Sequence, residues 1–179
     1  MIISKAIRIH CLIILILAIQ SCGVAPRTLG TYIEDYSIVS RAKDIVNTSH
    51  DKQKSSSVQA HAYNEILLLT GEVSKEKTRL NILEDMTKIP KVRQIHNEIH
   101  ISDPISTWSK VTDSFIKTKI RSKIFFKKRI KPREIKIISR NGTVYLMGMV
   151  NNLKAEELTK IVQRTKGVKS VVVLFENSK

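Results

Sequence analysis

The chain has 179 residues, enough for one medium domain or two small ones, and its 42% hydrophobic content suits a folded protein. Six Gly and four Pro exclude a low-complexity chain, and two Cys are too few for a disulfide framework. Lys and Arg number 31 against 16 Asp and Glu, so the net charge of +15 points to an anionic partner or to a heavily solvated basic surface.

The chain begins "MIISKAIRIHCLIILILAIQSCG". Lys5 and Arg8 precede an apolar run from Cys11 to Ile19, which is too short to cross a hydrocarbon core of about 30 Å but has the length of a signal-peptide core. The run ends in "IQSC", Ile19 to Cys22, which resembles a bacterial lipobox with Gln20 looser than the usual small residue. Residues 1–21 are therefore expected to be a lipoprotein signal peptide, with Cys22 as the lipidation site and 22–30 as a lipidated tether. The alternative is an ordinary secretory signal with an incidental Cys. Several acyl chains anchor stably where one anchors only marginally. Gly23 in place of Asp permits passage to the outer membrane under the usual lipoprotein sorting rule. An exported chain facing the periplasm leaves no role for nucleic acid as a partner. With Cys11 removed and Cys22 acylated, the mature chain has no Cys for a metal site, and no cofactor is expected beyond the lipid on Cys22.

The next elements come twice. Ile38, Ala42 and Val46 recur at i, i+4, i+8 and predict a helix; a strand, a turn and the apolar stretch "NEILLLTGEV" follow. A second helix carries Ile82, Met86 and Ile89 and is expected to stop at Pro90, before the strand "VRQIHNEIHI". After "SDPIST" the order repeats. Ile116, Ile120 and Ile124 mark a helix, Asn141-Gly142 a hairpin turn, and "NGTVYLMGMV" the second strand. Leu158, Ile161, Val162 and Thr165 mark a helix expected to stop at Gly167, and "VKSVVVLFE" closes the chain. At an offset of 77, Leu69 falls on Leu146, Gly71 on Gly148 and Val73 on Val150. The fold class is thus α+β: two tandem α-β-β-α-β domains, each a small mixed sheet covered by two helices. Their expected bounds are 31–101 and 108–177, with a linker at 102–107.

The charge is confined to one copy. Residues 22–104 hold 11 basic and 11 acidic side chains, whereas residues 105–179 hold 18 basic and 5 acidic. A compositional Lys bias would touch both copies alike. "KTKIRSKIFFKKRIKPREIK", residues 117–136, carries ten Lys or Arg against Glu134. If Ile116, Ile120 and Ile124 face the sheet, Phe115, Lys119 and Lys123 form an adjacent row, and Lys117 and Arg121 lie on the other flank. Lys127 and Lys128 follow in a basic loop that also holds Arg129, Lys131 and Arg133. A basic helix face beside an aromatic suits the headgroup level of a membrane, and the alternative places Phe115 in the core. Trp108 either shares the membrane role or packs where the linker enters.

These residues resemble the BON domain of bacterial envelope proteins. Val144, Leu146 and Gly148 match its "V-x-L-x-G" hairpin, and Gly167, Val168 and Val171 match its closing "G-V-x-x-V" strand. In the first copy Pro90-Lys91-Val92 departs from that pattern. The whole chain is similar to the dual-BON outer-membrane lipoproteins. That resemblance implies a membrane-anchored, non-catalytic protein binding anionic phospholipid such as phosphatidylglycerol or cardiolipin, supporting envelope integrity and associated with the division site, with Phe115 at the bilayer. The alternative function is an interaction module docking on an acidic envelope protein, such as an assembly machine. No Ser/His/acid set, Gly-rich phosphate loop or metal-ligand spacing argues for an enzyme; His96 and His100 read as strand.

Overall fold

A computed structural model describes residues 28–49, 57–127 and 129–177. The leader expected over 1–21, Cys22 and Lys128 lie outside the described residues. Thr28 caps the first helix, α1 (Leu29–Ser49), by accepting the Thr31 N–H at 3.2 Å. This helix starts within the stretch expected as the 22–30 tether. Strands β1 (Gln59–Tyr63) and β2 (Ile66–Val73) form a hairpin, α2 (Glu76–Thr87) follows, and β3 (Gln94–Ile101) runs parallel to β2. The second repeat has α3 (Thr107–Phe125), a 3₁₀ turn at Pro132–Glu134, β4 (Ile135–Arg140), β5 (Thr143–Met149), α4 (Asn152–Gln163) and β6 (Ser170–Glu176). Its sheet has the same order as the first, with the second strand central, one antiparallel neighbour and one parallel neighbour.

The helical stripes bury as their period dictates. Ile38, Ala42 and Val46 of α1 pack with Ile82 and Met86 of α2 over Leu67, Leu69 and Val73. Ile116, Ile120 and Ile124 of α3 pack with Leu158 and Val162 over Leu146 and Val144. Both second helices end one turn earlier than Pro90 and Gly167 suggest. Their last turns tighten, with Ile89 N–H on Met86 O and Thr165 N–H on Val162 O, before the chain reverses. Gly167 makes that reversal at φ +103, where a Cβ would meet Ile116 at 3.1 Å. Lys91 takes the equivalent place in the first repeat at φ +70, so the turn forms without glycine and stores the strain of a left-handed residue.

The glycine shared by the two central strands has a steric cause. A Cβ on Gly71 would lie 2.1 Å from the Ser57 carbonyl oxygen, and one on Gly148 would lie 2.6 Å from that of Glu134. In each repeat the chain entering the first strand crosses the central strand at backbone contact distance, and only glycine leaves the room.

Each hairpin is clamped by a buried aspartate from the first helix of its repeat. Asp35 accepts the N–H groups of Asn64 and Glu65 at 2.9 and 2.7 Å. Asp113 accepts those of Asn141 and Gly142 at 2.7 and 2.9 Å, and the Ser139 hydroxyl at 2.7 Å. All four turn residues have positive φ, which matches the twist of a two-residue hairpin but turns their N–H groups away from the ladder. A carboxylate satisfies two such donors at once.

The second face of each sheet is covered by the other sheet. Tyr63, Ile66 and Leu68 pack against Ile138, Tyr145 and Met147, so all eight residues of β2 are buried. The central strands are buried on both sides. The hairpin end of each repeat meets the strand ends of the other. At one end the Arg140 guanidinium grips the Glu72 carboxylate, with Nε to Oε1 at 3.0 Å, and reaches the Ser57 carbonyl at 2.8 Å. At the other end Glu176 accepts from Asn64 at 2.6 Å and from Arg93 at 2.8 Å. The Tyr63 hydroxyl donates to Glu134 O at 2.8 Å, and Lys136 donates to Ala62 O at 3.1 Å.

His61 of β1 points into this seam, where its Nε2 has no hydrogen-bond partner among the described residues. Burial first, then the positive charges of Lys136, Lys117, Arg140 and Lys43, hold its pKa down at about 4, from 6.5.

Two outcomes follow from these contacts. Asp113→Ala removes three hydrogen bonds to one carboxylate and orphans two hairpin N–H groups, and should cost about 2–4 kcal/mol by urea denaturation; a loss within error of zero would contradict the clamp. His61 stays neutral in the fold while the unfolded chain protonates near 6.5, so stability is complete above pH 6.5 and lost as pH falls toward 4. The loss between pH 7.5 and pH 5 should be on the order of 2 kcal/mol in wild type. It should shrink by that amount in His61→Gln, and equal slopes for the two proteins would rule out this origin.

Candidate lipid-facing surface

The N-terminus of α3 is set by Ser106, whose hydroxyl accepts the Ser109 N–H at 3.2 Å. The helix is held on its inner side by three isoleucines and the Asp113 clamp. This fixes what points outward. At about 100° per residue, Trp108, Val111 and Phe115 fall on the side opposite Ile116, Ile120 and Ile124. Trp108 is 78% and Phe115 63% exposed, so neither completes the core nor packs at the linker. Phe125, the last residue of α3, and Phe126, its C-cap, form a second exposed aromatic pair at the helix end, their rings edge to face at 5.7 Å.

The cations of the stretch divide into those already engaged and those free. Lys123 turns back to α4 and donates to Arg164 O at 3.1 Å and Thr165 Oγ1 at 3.0 Å, satisfying orphan acceptors at that helix end. Lys127 lies 3.4 Å from the Glu157 carboxylate. Lys117 is half-buried on the flank facing the first repeat, where its charge acts on His61. Lys119, beside the ridge, and Arg121, on the other flank, are exposed and make no ion pair among the described residues, as do Arg129, Lys131 and Arg133 on the loop. Glu134, the acid within the stretch, is buried and paired with Lys154 at 3.1 Å. The helical period thus brings Trp108, Phe115 and Lys119 to one outward surface, leaves Arg121 exposed on the other flank, and does not bring Lys117, Lys123 or Lys127 there as free charges.

Phe125 and Phe126 were not among the residues expected at this surface. α3 runs to Phe125, and carrying its helical period four residues past Arg121 would have found that ring. Among the described residues no group of His, Cys, Asp and Glu is arranged to hold a metal ion, and no helix is long and apolar enough to cross a membrane.

The BON-domain profile matches residues 35–103 and 112–176, one match in each repeat. Outer membrane lipoprotein DolP of Haemophilus influenzae is 30% identical over 151 residues, covering 84% of this chain and 78% of that protein. The 21 kDa hemolysin of Actinobacillus pleuropneumoniae is 26% identical over 149 residues, covering 83% of this chain and 77% of its own length. Osmotically-inducible protein Y of Escherichia coli is 22% identical over 157 residues, covering 84% and 78% respectively. With one BON match on each α-β-β-α-β repeat and relatives that align across both, the chain belongs to the dual BON-domain lipoprotein family.

Proposed function

We propose that this protein is a non-catalytic outer-membrane lipoprotein, tethered by acylated Cys22, whose second BON domain binds anionic phospholipid through α3 and supports envelope integrity, with placement at the division site as part of that role. The observation that carries the reading is the outward side of α3. An exposed aromatic ridge, Trp108 and Phe115, runs beside unpaired Lys119, with unpaired Arg121 on the far flank, on a helix whose other side is core. A monomeric soluble protein rarely leaves so many large apolar side chains together in water without a use for them. Rings at the acyl boundary with cations among phosphates satisfy both chemistries at once. Each cation near an anionic surface contributes about 1 kcal/mol. Lys119, Arg121 and the loop residues Arg129, Lys131 and Arg133 therefore supply the attraction, and Phe115 and Trp108 the insertion.

The relatives lean the same way: one is named an outer-membrane lipoprotein and another a hemolysin. α1 begins at Leu29, shortly after Cys22, and exposes Leu29, Ile33 and Tyr36, which suits a helix held close to the membrane by its tether.

Residues 23–179 should co-sediment with vesicles containing phosphatidylglycerol or cardiolipin, and not with purely zwitterionic ones. Raising the salt to 1 M cuts the Debye length to about 3 Å and should release the protein. Phe115→Ala and Lys119→Glu/Arg121→Glu should each abolish sedimentation, while Lys123→Glu, whose wild-type partner is α4, should weaken it less. Binding to neither vesicle, or binding unchanged in both variants, would overturn the reading and leave the surface to an acidic envelope protein.

A further inference from the structure

A cavity of about 410 Å³ opens between the C-terminal turn of α3 and the free edge of β4. Its lining is Arg121, Ile124, Phe125, Pro132, Arg133, Ile135 and Ile137. The volume is within the range of about 300–1,000 Å³ usual for small-molecule sites. Its chemistry is two-sided. Ile124, Ile135 and Ile137, each nearly fully buried, make an apolar floor continuous with the domain core, and the exposed Phe125 ring stands at its rim. Arg121 and Arg133 are exposed and come from different elements, the helix and the 3₁₀ turn, and neither makes an ion pair among the described residues. Glu134, the acid beside Arg133 in the chain, is taken by Lys154. A second cavity, between α1 and α2, is lined by Thr48, Asn81, Glu84 and Asp85 and offers neither an apolar floor nor a cation.

The walls are ordered by the backbone. Lys127 N–H bonds Ile124 O at 2.9 Å, Ile130 N–H bonds Lys127 O at 3.1 Å, and Glu134 N–H bonds Lys131 O at 2.9 Å. Buried Ile130 pins the loop to the core. The pocket is built before any ligand arrives, which lowers the ordering cost of binding.

We propose that this cavity is a stoichiometric site for one anionic amphiphile: the end of a single acyl chain enters against Ile124, Ile135 and Ile137, and its phosphate is clamped by Arg121 and Arg133. Two guanidinium groups from separate elements match a phosphate bidentately better than ammonium groups would. The proposal deepens the membrane reading above by adding a lipid-by-lipid site beside the ridge, but it does not need Phe115. A membrane phospholipid and a free single-chain phosphate carry the same chemistry, and the experiment separates them.

Dodecyl phosphate, kept below its micellar concentration, would be titrated into residues 23–179 while isoleucine methyl resonances are followed by NMR. Saturable one-to-one binding is expected, with shifts at Ile124, Ile135 and Ile137. Inorganic phosphate and dodecyl maltoside should not bind measurably. Arg133→Gln lies on an exposed turn and should weaken binding by about tenfold or more, as expected for a lost charge-assisted contact. Phe115→Ala should leave this binding intact even where it abolishes vesicle sedimentation, so the two readings fail separately. A short-chain phosphatidylglycerol below its micellar concentration, competing with dodecyl phosphate for the same methyl shifts, would identify the membrane lipid as a source. Failure to compete would assign the site to single-chain phosphates. Dodecyl maltoside binding as well as dodecyl phosphate, shifts confined to other methyls, or no effect of Arg133→Gln would each overturn the proposal.

Discussion

The contact between the two sheets governs the rest of this molecule. A three-stranded sheet with two helices on one face still has an apolar second face, and in a module this small nothing else within the repeat can cover it. Here each repeat covers the other. Leu68 and Ile66 of β2 meet Tyr145 and Met147 of β5, and both central strands become core strands of a four-layered body. This is why β2 and β5 read as nearly unbroken apolar runs rather than as alternating strands. The seam also carries charge. Breaking the buried Arg140–Glu72 pair from one side would leave an uncompensated ion, a loss of about 3–5 kcal/mol. A wrong register between the sheets would do the same, so the pair specifies alignment as well as affinity.

Because the sheets occupy the middle, all four helices lie outside, and the outward sides of α1 and α3 are released from structural duty. The framework of the two repeats is matched position by position: Asp35 with Asp113 at the hairpin, Gly71 with Gly148 at the strand crossing, Ile38 with Ile116 in the core. Their surfaces are not matched, since one repeat is neutral and the other carries nearly all of the excess positive charge. The fold makes the same demands on both copies. The difference between them is therefore not set by the fold.

The sequence carried the periodic part of this structure. Isoleucines at i, i+4, i+8 gave both first helices, Asn141-Gly142 gave a hairpin, and the offset of 77 gave the tandem order. Contacts made at a distance were hidden. Asp113 reads as a solvated helix residue, because its partners are backbone N–H groups 28 and 29 positions away that have no side-chain signature. Glu72 and Arg140 carry no sign in the sequence that they meet, since the strand pattern does not say which sheet covers the second face. Lys91 reads as a departure from a glycine turn, yet the turn forms, because a few hydrogen bonds and a packed Val92 outweigh one strained residue. The basic stretch was legible as a charge but not as a distribution of free charges. Lys123, Lys127 and Lys117 have internal environments that only the fold assigns.

That distribution bears on how the surface works. A helix carrying its cations uniformly would lie on an anionic membrane by charge alone. Here the engaged lysines stiffen the attachment of α3 to α4, and the free cations fall on both flanks of the helix. Lys119 lies beside Phe115, while Arg121 lines the cavity with Phe125 and Arg133. On the proposed reading, apolar insertion and phosphate binding share that rigid mount. The order of events on a membrane would follow from range: the field of the whole repeat would act first, over about 8–10 Å at physiological ionic strength, and ring insertion would follow only on contact. The proposed cavity site would then select a single lipid from those beneath it.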